Sequence, residues 1–106
     1  MTNVITISSQ KFLDEEIVAE KIAAEDFTVF VSPSFEIDGE EYRLMLDGHH
    51  SFAAAKEAGV EPVIIEQDGT DNDTICLLNA GNIDDFLAVN RNDCDFYDIS
   101  TGRDVW

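Results

Sequence analysis

Leu44-Met45-Leu46-Asp47-Gly48-His49-His50-Ser51-Phe52-Ala53-Ala54-Ala55-Lys56-Glu57-Ala58-Gly59 is the stretch on which the reading of this chain turns. An apolar strand end runs into a polar turn and then into an alanine-rich helix. Gly59 can take the left-handed conformation that closes such a helix. The turn gathers an acid, a glycine and both histidines of the chain into four consecutive positions, and Ser51 follows directly.

Working outward, Asp38-Gly39 is a hairpin signal between the extended segment Ser34 to Ile37 and a strand from Glu40 to Leu46, because both residues tolerate the positive φ of a tight turn. Upstream, Thr28-Val29-Phe30-Val31 reads as a buried strand stopped by Ser32-Pro33, since proline donates nothing to a ladder and restricts its predecessor. The segment from Asp14 to Glu25 has acids in its first turn and places Leu13, Ile17 and Ile22 near one face. Val18 borders the same face, and the segment reads as an amphipathic helix with a solvated carboxylate face. Val4 to Ile7 is a short β-branched strand opening the fold. Downstream of the turn, Val63 to Glu66 is a returning strand, and the alanines at 53, 54, 55 and 58 suit a helix lying close to a sheet.

Asp68 to Asp73 is a polar loop; its acids lack the spacing and closing glutamate of a calcium loop. Thr74 to Leu78 is compatible with either strand or helix. Asn82 reads as the cap of a helix over Ile83 to Val89, and Phe96 to Trp106 as a small terminal hairpin around Thr101-Gly102. The expectation is one α+β domain spanning residues 1–106, a small mixed sheet with short helices packed on it. A chain of 106 residues buries roughly two-thirds of its unfolded surface and needs no metal or disulfide to fold.

Composition narrows the function. There are 23 acidic and 6 basic residues, a formal charge of -17. Duplex DNA is not an expected partner, because affinity for a phosphate backbone rests on lysine and arginine displacing counterions. Solubility is the plain explanation of such a charge, and a docking face for a basic protein partner is the functional one. Cys76 and Cys94 show no CxxC pattern and no nearby histidine at metal spacing, and read as buried or incidental thiols of a reducing compartment. The start of the chain lacks the basic region and the roughly 7–15 residue apolar core of a signal peptide, and no apolar run nears the ~18 residues of a membrane span. The expected location is therefore the cytoplasm.

The chemistry lies in the turn. A helix start preceded by glycine presents backbone N–H groups and the positive end of the helix dipole, which suits a phosphate or carboxylate. Gly48 lets the backbone approach such a ligand, Ser51 can cap the helix or donate its hydroxyl to the anion, and His50 can donate beside it or make a capping or core hydrogen bond. Asp47 and His49 are the candidate catalytic pair. Asp47 can hold magnesium, act as a base or only fix the turn, and His49 can orient a ligand or accept a proton near neutral pH. Zinc is not expected, since adjacent side chains seldom converge on one ion and no further histidine exists.

The run from Tyr42 to Glu66, with Leu46-Asp47-Gly48-His49-His50-Ser51, then Ala54-Ala55, Gly59 and Pro62-Val63-Ile64, resembles the central block of the ParB/sulfiredoxin-like superfamily. Weaker agreement in element order extends the resemblance over roughly residues 4 to 66. It implies a compact α/β fold with a nucleotide held at a strand-turn-helix of the form Asp/Gly-Gly-X-His-Arg or Gly-Glu-Arg-Arg. Within that superfamily partition proteins hydrolyse CTP, sulfiredoxins use ATP to repair overoxidised cysteine, and an archaeal branch phosphorylates serine using ADP. His49 stands in the place of the sulfiredoxin cysteine, His50 matches the family histidine, and Ser51 replaces the arginine that grips phosphate. Both arginines of the partition motif are missing, and there is no room for a DNA-reading domain. Two functions follow as expectations. One is binding of a nucleotide of ATP, ADP or CTP type with magnesium at Asp47 to Ser51, extending to phosphotransfer or hydrolysis. The other is a non-catalytic acidic interaction module, an inhibitor or nucleic-acid mimic that docks on a basic partner.

Overall fold

The computed structural model describes residues 4–11, 13–91 and 94–105. The first three residues of the N-terminal reading and Trp106 of the terminal hairpin lie outside them. The strands are β1 (Ile5–Ser8), β2 (Thr28–Val31), β3 (Phe35–Ile37), β4 (Glu40–Asp47), β5 (Val63–Glu66) and β6 (Tyr97–Asp98). The helices are α1 (Glu15–Ala23), α2 (His49–Ala58), α3 (Ile75–Asn79) and α4 (Ile83–Val89). The fold is α+β, and its strands form one mixed sheet in the order β5-β2-β4-β1-β6, with β3 added on β4.

β4 is the spine of the sheet. Its N-terminal half pairs antiparallel with β3, Phe35 opposite Tyr42 and Ile37 opposite Glu40. Between them Asp38 and Gly39, with φ of 52° and 84°, form the two-residue loop whose twist matches the strands. The C-terminal half of β4 pairs antiparallel with β2, Val31 opposite Met45 and Phe30 opposite Asp47. β2 and β3 thus follow one another along the same edge, interrupted at Ser32-Pro33-Ser34. The fully buried Ser32 closes this gap. Its N–H donates to the Leu44 carbonyl at 2.8 Å, its Oγ accepts from the Leu44 N–H at 2.9 Å, and the same hydroxyl donates to the Pro33 carbonyl at 2.9 Å. On the other side of β4, β1 runs parallel, Ile5 opposite Tyr42 and Ile7 opposite Leu44.

Alternation along β4 sends Tyr42 and Leu44 to one face and Met45 to the other. The first face carries the larger core, Ile7, Phe35, Tyr42, Leu44 and Phe96 closed over by Ile75, Phe86 and Leu87 of α3 and α4. The segment read as strand or helix from Thr74 to Leu78 is helical from Ile75 on, and Asn82 is the N-cap of α4, although its side chain makes no capping bond. The second core joins Val29, Val31 and Met45 with Phe52 of α2 and Ile99. Ala54 and Ala55 are completely buried there, and the missing bulk lets α2 approach closely.

α1 packs chiefly on α2 rather than on the sheet, and only the Val18 and Ile22 part of the expected face turns inward. Val18 is the residue that is buried, while Leu13 and Ile17 are exposed. The returning strand β5 does not pair with β4 but lies parallel to β2, at the sheet edge. Cys76 is exposed on α3, and neither it nor Cys94 is in a disulfide. Residues 97–104 form the small terminal hairpin through a bridge between Tyr97 and Asp104, and β6 pairs antiparallel with β1. No helix among the described residues is long and apolar enough to cross a membrane.

Ser32→Ala would leave the Leu44 N–H without its side-chain acceptor in a buried place. An unsatisfied buried donor costs about 1–3 kcal/mol, and urea denaturation at constant m-value should show a loss of that size.

Candidate functional site

The turn that ends β4 lines a cleft of about 530 Å³, together with residues from β2, α1 and the loop after α1. Asp47, Gly48, His49, His50 and Ser51 all contribute to its wall, as do Lys21, Asp26, Thr28 and Phe30. The five residues singled out in the sequence are therefore brought to one place. Their roles in the wall differ from one to the next.

Gly48 is the N-cap of α2, with φ 95° and ψ 20°. Its left-handed conformation is one reason for glycine, and its neighbour is the stronger one. A Cβ built there would lie 2.6 Å from the Thr28 carbonyl oxygen and 2.8 Å from the Val29 Cα, both backbone atoms of β2. The space that a ligand was expected to use is taken by β2. Asp47 fixes the turn, its Oδ1 accepting from the Gly48 N–H at 2.7 Å. The carboxylate is otherwise exposed at the cleft rim.

Ser51 is not the cap. It occupies the third position of the helix and is 2% exposed. The ladder of α2 begins with Phe52 N–H donating to the Gly48 carbonyl, so the amides of His50 and Ser51 lie ahead of it, directed at the start of the helix. The anion nearest that start belongs to the protein. Asp26 takes the Lys21 ammonium on Oδ2 at 2.9 Å and the Thr28 N–H on Oδ1 at 3.3 Å. The Lys21 hydrogen bond, the Thr28 N–H and, more weakly, the Ser51 hydroxyl hold the Asp26 carboxyl below its ordinary range. Asp26 in turn holds the Lys21 ammonium above the usual lysine value.

His50 makes a structural contact. Its Nε2 accepts from the backbone N–H of Asp14 at 3.1 Å, and Asp14 is itself the N-cap of α1 through a bond from the Glu16 N–H to its carboxylate. The imidazole thus ties the starts of the two helices together. His49 stacks edge-to-face on it, ring centres 5.8 Å apart at 71°, with its Nε2 sealed from solvent. Lys21 and Asp26 were missed in the sequence because they look like an ordinary helix-end lysine and a loop acid. The available signal was a cation on the same helix face as Ile17, in a chain with few cations.

The cleft therefore holds two carboxylates, Asp26 and Asp47, against one lysine already paired. Among the described residues no three His, Cys, Asp or Glu side chains gather where they could hold a metal ion by themselves. No family model, curated protein or solved structure matches this chain.

Two measurements check this geometry. Gly48→Ala combines a left-handed φ with a backbone clash, and we expect a loss of about 2–4 kcal/mol in chemical denaturation. Asp26→Asn tests the ion pair through pH. A depressed folded value means that the stabilisation is present above the unfolded carboxyl value and is lost as pH falls through the lower folded one. The stability difference between wild type and Asp26→Asn should be flat at neutral pH and shrink below about pH 4. A difference that does not change with acidification would remove Asp26 from this role.

Proposed function

We propose that the cleft at the start of α2 binds a phosphate-bearing ligand, a nucleotide in the first instance, as its magnesium complex. The observation that carries this reading is the convergence of the Asp47–Ser51 turn on one cleft of about 530 Å³, a size ordinary for small-molecule sites. A bare phosphate is disfavoured there. Asp26 already faces the helix start, Asp47 adds a second negative charge at the rim, and the chain as a whole carries -17.

A magnesium ion reverses that balance. It binds through one or two carboxylates and completes its octahedron with water and phosphate oxygens, so a site short of three protein ligands suits it. Asp47 would hold the ion through the oxygen that Gly48 does not occupy. The amides of His50 and Ser51 would face the phosphate oxygens, as helix starts do for anions. His50 serves by fixing the helix start against α1 rather than by touching the ligand. The ParB/sulfiredoxin-like resemblance supports the same position, and a magnesium ion held by Asp47 would supply part of the positive charge of the arginine that Ser51 replaces. The reading is one of binding; phosphotransfer or hydrolysis would need Asp47 or His49 to accept a proton as well.

Thermal denaturation with ATP, ADP, CTP and inorganic phosphate, each with and without magnesium, tests it. A ligand at 100 times its Kd stabilises by about 2.7 kcal/mol, a midpoint shift of roughly 10–20 °C in a domain of this size. The shift is expected only with magnesium, and Asp47→Asn, which retains the oxygen that accepts from Gly48, should abolish it. A midpoint unmoved by every combination would overturn the proposal.

A further inference from the structure

β5 ends the sheet, and no described strand lies beyond it. Val63 N–H donates to the Phe27 carbonyl and Gln67 N–H to the Val31 carbonyl, both at 2.8 Å. In a parallel pair this alternation turns residues 63, 65 and 67 toward β2. The N–H and C=O groups of Ile64 and Glu66 therefore point away from the sheet. The side chains of this strand are apolar and open to solvent: Val63 is 54% exposed, Ile64 36% and Ile65 43%.

Exposed sheet edges are ordinarily blunted by a lysine, a bulge, a proline or a covering segment. β5 has Pro62 before it, but within the strand there is no lysine, and its register with β2 runs unbroken over four residues. The opposite edge is treated differently, since β6 is covered by the chain itself through the Tyr97–Asp104 bridge. An apolar strand with its hydrogen-bonding edge uncovered is a template for strand addition.

Charge selects the occupant. Glu66 ends the strand and Glu61 and Asp68 flank it, all exposed, and no lysine or arginine occurs between Lys56 and Arg91. A second copy would bring -17 against -17. We propose that β5 accepts an extended segment of a basic partner protein as an added antiparallel or parallel strand, its apolar side chains on Val63 to Ile65 and its lysines or arginines beside Glu61, Glu66 and Asp68. This docking is independent of what the cleft holds. It gives the acidic surface a partner class and a place.

The test uses the whole chain, labelled with nitrogen-15, and a synthetic peptide of alternating valine and threonine with a lysine pair at each end. Two control peptides carry a central proline or glutamate pairs in place of the lysines. The lysine-flanked peptide should bind, slow amide exchange at Ile64 and Glu66 about tenfold or more, and leave Val63 and Ile65 unchanged because their amides already face β2. Its affinity should fall about tenfold from low to high salt. Ile64→Pro removes only an outward N–H, so it should fold, as circular dichroism checks, and bind the peptide no longer. Binding of the proline peptide equally well would reduce the contact to charge alone and overturn the proposal. So would unchanged exchange at Ile64 and Glu66, or protection of those two amides in the peptide-free protein with sedimentation as a dimer, which would make a second copy the occupant.

Discussion

The start of α2 lies against the backbone of β2 so closely that a single carbon atom at position 48 would meet the Thr28 carbonyl at 2.6 Å. Much of the molecule follows from this approach. It sets the direction in which α2 leaves β4 and brings Ala54 and Ala55 into the interior. It also places the Asp47 carboxylate beside the loop that carries Asp26. α1 is then positioned second-hand, by packing on α2 and by the bond from the Asp14 N–H to His50. The cleft exists because two helices and one strand end meet at a glycine.

The elements were legible where local chemistry determines them. The Asp38-Gly39 loop, the stop at Ser32-Pro33 and the apolar runs at 28–31 and 63–66 each identify themselves by residue type, and each is present. Partnership between distant segments was not legible. Nothing in Val63 to Glu66 says that this strand skips β4 and joins β2, because an apolar run reads the same on an edge as in the middle of a sheet. The periodicity of α1 fits both Ile17 and Val18, and only the location of α2 decides that Val18 is the one buried. Of the site, the sequence disclosed the turn and not its counterpart. Lys21 and Asp26 take on meaning only once the loop after α1 has folded back over Ser51.

The few cations of this acidic chain are mostly engaged by it. Lys21 is bound to Asp26, Arg91 to Asp95, Arg43 to the Thr6 hydroxyl at 2.7 Å, and Lys11 lies over the Tyr97 ring at 5.4 Å. Exposed pairs of this kind add little stability individually. Their collective effect is on the field, because most of the few positive charges are engaged close to the chain and the surface presents the surplus of carboxylates. Cations, metal complexes and basic segments are attracted by that field, and free anions are repelled.

The pairing of β6 with β1 joins residues 97 and 98 to residues 7 and 8, and the larger core likewise joins Phe96 to Ile7. On a ribosome the hairpin of β3 and β4 can close as soon as it emerges, and β1 can lie down beside β4 soon afterwards. The outer flank of β1 must wait until residues 97 and 98 have been made. Until then that edge has no native strand beside it. During that interval the growing sheet is open at the outer side of β1 as well as at β5, and the like charge of neighbouring chains opposes their pairing there.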